Sequence, residues 1–151
     1  MIDRTDAAPE GWTLFEDQGF IDLVGPLYER RDPAAPRAFG FRAGQKHANL
    51  VGVVQGGMLM TLADRALGVT AWDAAGGRPC VTVQFDMQFL TAAPLGSFVF
   101  VEPEVLRLTS SIVFLRGTLR VGRRNVASAA GLWKILKPRA TSRSDDAAGG
   151  S

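Results

Sequence analysis

The alternation of apolar and polar positions changes period once along this chain, at Pro79. Before it, Leu59, Leu62, Ala66 and Val69 follow the three-four-three spacing of one helix face within residues 56–74. Met58, Ala63, Leu67 and Ala71 make a second apolar face, and a helix apolar on most sides is one covered on most sides. Gly76–Gly77 and Pro79 end it. Beyond Pro79, Val81, Val83, Phe85, Met87 and Phe89 alternate with Thr82, Gln84, Asp86 and Gln88, which predicts a half-buried strand. Further strands are expected over 97–108, with Pro103 forcing a bulge or an edge position, over 111–121 and over 125–136. The short connections between them predict consecutive antiparallel neighbours.

The start of the chain is less regular. Residues 11–18 (GWTLFEDQ) read as a short helical or irregular segment in which Trp12 and Phe15 share a face. Residues 20–31 (FIDLVGPLYERR) read as an edge or bulged strand, because Pro26 cannot donate to a ladder. DPAAP at 32–36 is a turn, and residues 37–43 return as its hairpin partner. The order is then hairpin, one long apolar helix and four antiparallel strands. One helix cannot cover two sheet faces, so a sheet curled around it is the economical α+β solution. Residues 20–137 form the single domain, 1–19 an N-terminal segment, and the small, polar stretch 138–151 a disordered tail.

Composition narrows the classes. With 46% hydrophobic and 21% charged residues over 151 positions, one globular domain with a real core is expected. A formal charge of +2 from scattered Lys and Arg argues against a nucleic-acid binder. No apolar run approaches the roughly 20 residues of a membrane span, and the charged start MIDRTDAAPE does not read as a signal peptide. A single cysteine, Cys80, fits a reducing compartment, so a cytoplasmic protein is expected. One His and no cysteine cluster imply no metal.

The candidate chemistry lies in residues 47–64, HANLVGVVQGGMLMTLAD, which hold no Lys or Arg. Asn49, Gln55 and Asp64 stand out in an apolar background, and Gly56–Gly57 opens the helix. The ordered set His47, Asn49, Gly52, Gln55, Gly56, Gly57 and Leu62-Ala63-Asp64 resembles the PaaI-like acyl-CoA thioesterases of the hotdog superfamily. The stretch TVQFDMQFLTAAPLG at 82–96 looks like the segment that follows the helix in that family.

The resemblance implies a hotdog fold, a central helix wrapped by a curved antiparallel sheet, assembled as a homodimer or homotetramer with active sites at the interface. It implies an acyl-CoA substrate, a medium-chain or aryl thioester, hydrolysed without a cofactor beyond the coenzyme A of the substrate itself. Asp64 would activate water or attack the thioester, the Gly56 or Gly57 backbone would polarise the carbonyl, and Asn49 would assist. Thr82 matches a hydroxyl position that holds the water in some relatives, although strict alternation sends it to the polar face, away from the helix. Gln55 stands where many relatives carry His; glutamine cannot titrate, so it would orient substrate or loop. It could equally be a hydrogen bonder of the helix cap. His47 reads as a loop hydrogen bonder near the substrate and not as a catalyst. Arg123 and Arg124 form a charged turn, with contact to coenzyme A phosphates as the lesser reading.

Residue chemistry agrees and adds a constraint. Hydrolysis of a thioester builds charge on the carbonyl oxygen, and free N–H groups at a helix start can receive it. An acid flanked by Leu62, Ala63, Ala66 and Leu67 is expected to feel desolvation, which raises a carboxyl pKa. Met58, Leu59 and Met60 are the expected acyl lining. Yet Gly57 and Asp64 are seven residues apart, about 10 Å along one helix axis. If both act, the second comes from a two-fold partner, and a monomer is inactive. The alternatives are a non-catalytic acyl-CoA or lipid-binding module of the same fold and, lower, a hydratase or dehydratase, which normally wants a His/acid pair.

Overall fold

Helix α2 (Gly56–Ala74) runs over the span its periodicity predicts. The computed structural model describes residues 8–138, so the expected N-terminal start (1–7) and the tail from 139 lie outside the described residues. Around α2 the chain forms β1 (Thr13–Phe15), α1 (Phe20–Val24), β2 (Leu27–Arg30) and β3 (Ala38–Arg42). After the helix come β4 (Cys80–Phe89), β5 (Phe98–Val101), β6 (Glu104–Leu108), β7 (Ile112–Val121) and β8 (Arg124–Ile135). They make one antiparallel sheet in the order β1-β2-β3-β5-β7-β8-β4, with β6 also paired to β7.

The sheet curls around α2 because one face of it is apolar. Phe39, Phe41, Val99, Val101, Val113, Leu115, Leu119 and Trp133 are buried against Leu59, Leu62, Ala63, Ala66 and Leu67 of the helix. Close packing leaves small residues where backbones approach. A Cβ on Gly131 would meet the Gln84 carbonyl oxygen at 2.6 Å and the Trp133 ring at 2.9 Å. On Gly68, in the helix, the nearest atom would be Trp133 Nε1 at 3.4 Å. Gly131→Ala is therefore expected to destabilise by about 1–3 kcal/mol. Gly68→Ala relieves the helix of a glycine and is expected to stabilise by about 0.5–1 kcal/mol. Urea unfolding of the two variants checks both signs.

Four expectations are corrected. Residues 20–31 are not one strand: α1 comes first, and β2 starts only at Leu27, after the proline that cannot donate. A five-residue apolar run is too short for its period to separate helix from strand. Likewise Gly11–Gln18 is not helical, since β1 pairs with β2. In an extended segment an odd separation puts side chains on opposite faces, so Trp12 and Phe15 part company. Phe15 packs edge-on to Phe39 (5.4 Å), whereas Trp12 lies on the outer face against Phe98 (4.8 Å). The strand expected over 97–108 is divided at Pro103 into β5 and β6.

The fourth correction positions the site. β4 and β5 are not neighbours; among the described residues β4 pairs only with β8 and ends the sheet. The chain from Leu90 to Ser97 is a crossover past the start of α2, not a hairpin turn. Leu90 N–H and Thr91 N–H donate to the Val126 carbonyl (2.9 and 3.2 Å), Val54 N–H to that of Ala93 (3.0 Å), and Gly96 N–H to that of Ala43 (2.7 Å). As an edge strand, β4 is far more open than its alternation predicts: Val81, Val83 and Phe89 are 44%, 53% and 52% exposed.

Candidate active site

The loop before α2 is built by side chains. Asn49 Oδ1 accepts the backbone N–H groups of Val51 (3.0 Å) and Val53 (3.2 Å), and Gly52 closes the turn with φ +82°. Gln55 N–H donates to the His47 carbonyl (2.8 Å), which brings the end of the loop back to its start. Asn49 thus performs the turn role with its oxygen, and its Nδ2 amide makes no hydrogen bond among the described residues.

His47 is buried and spent on the loop. Nδ1 accepts the Gly44 N–H at 2.9 Å, so Nε2 carries the proton and donates it to the Val24 carbonyl (2.5 Å). This is the loop hydrogen-bonding role expected of it, and neither ring nitrogen is left to offer. Burial lowers its pKa; the Val24 bond opposes this, and Lys46 adds to the lowering. An imidazole with a depressed folded pKa binds fewer protons folded than unfolded. Stability is therefore whole above about pH 6.5 and falls as pH drops from there toward the lower folded value. His47→Gln is expected to flatten the dependence of urea midpoint on pH between 7 and 5.

Gln55 is the N-cap of α2 and makes no side-chain cap bond, so the cap reading of that residue fails. A Cβ on Gly57 would meet Gln55 Oε1 at 2.8 Å, which puts the amide over the first turn. Gly56 and Gly57 open the helix, and N–H groups in a first turn lack intrahelical acceptors. Beside them lies a cleft of about 320 Å³ lined by Asn49, Val54, Gly56, Leu59 and residues 89–93. Of the expected acyl lining only Leu59 reaches it; Met58 is buried in the core and Met60 faces outward.

Asp64 is exposed, which corrects the expectation of a desolvated acid within the chain. Its sequence neighbours Leu62, Ala63, Ala66 and Leu67 are all buried. Successive helix residues turn by about 100°, so those four share one side of α2 and Asp64 lies on the other. Arg65 pairs with Asp17 and not with Asp64. What holds Asp64 is Thr82, whose hydroxyl donates to Oδ1 at 2.6 Å. Strict alternation fails here for a visible reason. The β4–β8 register slips between Thr82 and Gln84, two residues of β4 opposing successive Trp133 and Leu132. The inserted residue shifts the phase by one, so Thr82 shares the helix-facing side with Phe85, Met87 and Phe89.

The chain therefore carries two groups on one helix: the Asn49/Gln55/Gly56/Gly57 cluster at its start, and Asp64 with Thr82 two turns on. The cleft lining includes Asn49 and Gly56 of the first and neither member of the second. Phe89, which sequence alternation placed simply on the covered strand face, stands at the first group, its ring tip 3.2 Å from where a Gly56 Cβ would be. Arg123 lies in an exposed turn and Arg124, also exposed, opens β8 and donates to the Ala92 carbonyl (3.3 Å) at the rim of the cleft.

A long helix opened by two glycines and wrapped by an antiparallel sheet defines a hotdog protein. The chain belongs to the thioesterase superfamily, whose model matches residues 51–128. It is 35% identical over 129 residues, 84% of this chain and 96% of the other, to "Putative esterase PA0474" of Pseudomonas aeruginosa. The fold is shared with a point variant of the phenylacetic acid degradation protein PaaI from Thermus thermophilus (TM-score 0.69, 22% identity, 78% of this chain and 98% of that one). It is shared too with a Bacillus halodurans protein solved with CoA (TM-score 0.68, 18% identity, 74% of each chain). No described helix is long and apolar enough to cross a membrane.

Proposed function

We propose that this protein is an acyl-CoA thioesterase that hydrolyses a medium-chain or aryl thioester to the free acid and coenzyme A, without a further cofactor. The observation that carries the reading is the Thr82–Asp64 hydrogen bond: an exposed carboxylate held in one orientation on the open face of the helix. A fixed, solvent-facing carboxylate has no packing role, and it suits a base or nucleophile. Membership of the thioesterase superfamily and the CoA bound in the Bacillus halodurans relative support the substrate class.

In this reading the carbonyl oxygen sits at the free amides of Gly56 and Gly57, where the helix dipole adds positive potential. Asn49 Nδ2 and the Gln55 amide, both without hydrogen bonds among the described residues, are the polar groups that orient the thioester. Asp64 and Thr82 come from the partner of a homodimer, itself able to pair into a tetramer. Two features support that assembly. The axial gap of about 10 Å forbids both groups from reaching one carbonyl within a chain. The β4 edge and the stripe Gly57, Met60 and Asp64 are open together. A partner over this face would also exclude water from Asp64, supplying the desolvation that the single chain lacks.

A thiol-release assay over straight-chain, branched and aryl acyl-CoA thioesters tests the reading. Turnover of at least one class at a kcat/KM above about 10⁴ M⁻¹s⁻¹ is expected. Coenzyme A binding with no hydrolysis across the panel would leave the non-catalytic binding module instead.

A further inference from the structure

We propose that Phe89 is the specificity-determining residue of the cleft and excludes acyl groups branched next to the thioester carbonyl; the inference rests on the thioesterase reading above. Three observations converge on this ring. Cε1 and Cζ lie 3.2 Å from where a Gly56 Cβ would be, so the ring is seated on the first turn of α2, against the glycine whose N–H is assigned to the carbonyl oxygen. Phe89 shares the helix-facing side of β4 with Phe85 and Met87, yet at the end of that strand it stays 52% exposed, as a wall and not as core. The same ring lines the cleft whose apolar floor is Val54, Leu59 and Ala93.

The backbone of the other walls is tied in place. Leu90 and Thr91 are tied by their backbone to Val126, Val54 is tied to Ala93, and Leu59 and Ala93 are buried. The Phe89 side chain is the wall that stands against Gly56, and half exposed as it is, it can be changed without moving a strand. Its place beside Gly56 makes it touch the first carbons of the acyl group and not the distal end. A straight or flat acyl group passes along the ring; a methyl on the α-carbon collides with it.

The test compares kcat/KM for hexanoyl-CoA and 2-methylhexanoyl-CoA in wild type, Phe89→Leu and Phe89→Ala. It is paired with calorimetric binding of the matching straight and branched S-alkyl-CoA thioethers, which cannot be hydrolysed. Phe89→Ala is expected to raise the branched-to-straight ratio by about 10- to 200-fold, the range one methylene-sized difference produces in an apolar pocket. Phe89→Leu falls between, and thioether affinities follow the same order. A common factor on both substrates, with the ratio unchanged, overturns the proposal. Should Phe89→Ala not fold, an unchanged ratio in Phe89→Leu overturns it equally. If wild type hydrolyses nothing but the thioethers still rank by branching and Phe89→Ala erases the ranking, the hydrolase reading falls and the wall stands.

Discussion

Asp64→Asn is expected to lower kcat by roughly 10²- to 10⁴-fold, the contribution of a positioned acid–base group, while leaving the fold intact. The substitution is unusually clean here. Asp64 is exposed on α2, so no core contact is lost, and an Asn Oδ1 still accepts the Thr82 hydroxyl. What disappears is the basic oxygen. Steady-state kinetics on the best substrate of the thiol-release panel, beside an unfolding curve, separate chemistry from stability. A loss smaller than about tenfold with the fold unchanged would remove Asp64 from the reaction.

The second large effect comes from mixing two dead variants. Gly57→Val displaces the Gln55 amide that lies over the helix start and puts a branched side chain there, and Asp64→Asn removes the carboxylate; each homodimer should be inactive. If each site takes its glycine from one chain and its acid from the other, a mixed dimer has one site with both defects and one with none. Co-refolding equal amounts then restores about a quarter of wild-type activity, half of the dimers carrying one good site of two. If a site lies within one chain, every chain carries a defect and the mixture stays inactive. Dilution gives an independent check, since activity should fall as the dimer dissociates.

The legible parts of this protein were those where a local rule dominates. The ends of α2 could be read because glycines and a proline punctuate a long apolar period, and β7 and β8 because their alternation runs ten residues or more. The loop motif His47–Gly57 marked the candidate site, although His47 proved to be its internal brace. Asp64 stands out in the sequence as the one carboxylate of that stretch, yet reads there as buried. Its sequence neighbours are apolar, and only the helical rotation shows that they turn away from it. Strict alternation puts Thr82 on the wrong face because it cannot show a bulge, which shifts the phase of β4 by one residue.

By itself, then, the sequence determined the element types over most of the chain, the α+β class with one helix inside a sheet, and the short stretch in which the chemistry is to be sought. These are consequences of period and punctuation, which act over a few residues. The tertiary structure alone decided that β4 lies beside β8 at the edge, that Asp64 meets Thr82, and that Phe89 stands over Gly56. Each depends on which strands meet after the Leu90–Ser97 crossover, and the free energy of that choice is spread over a whole buried core, not written in any one segment.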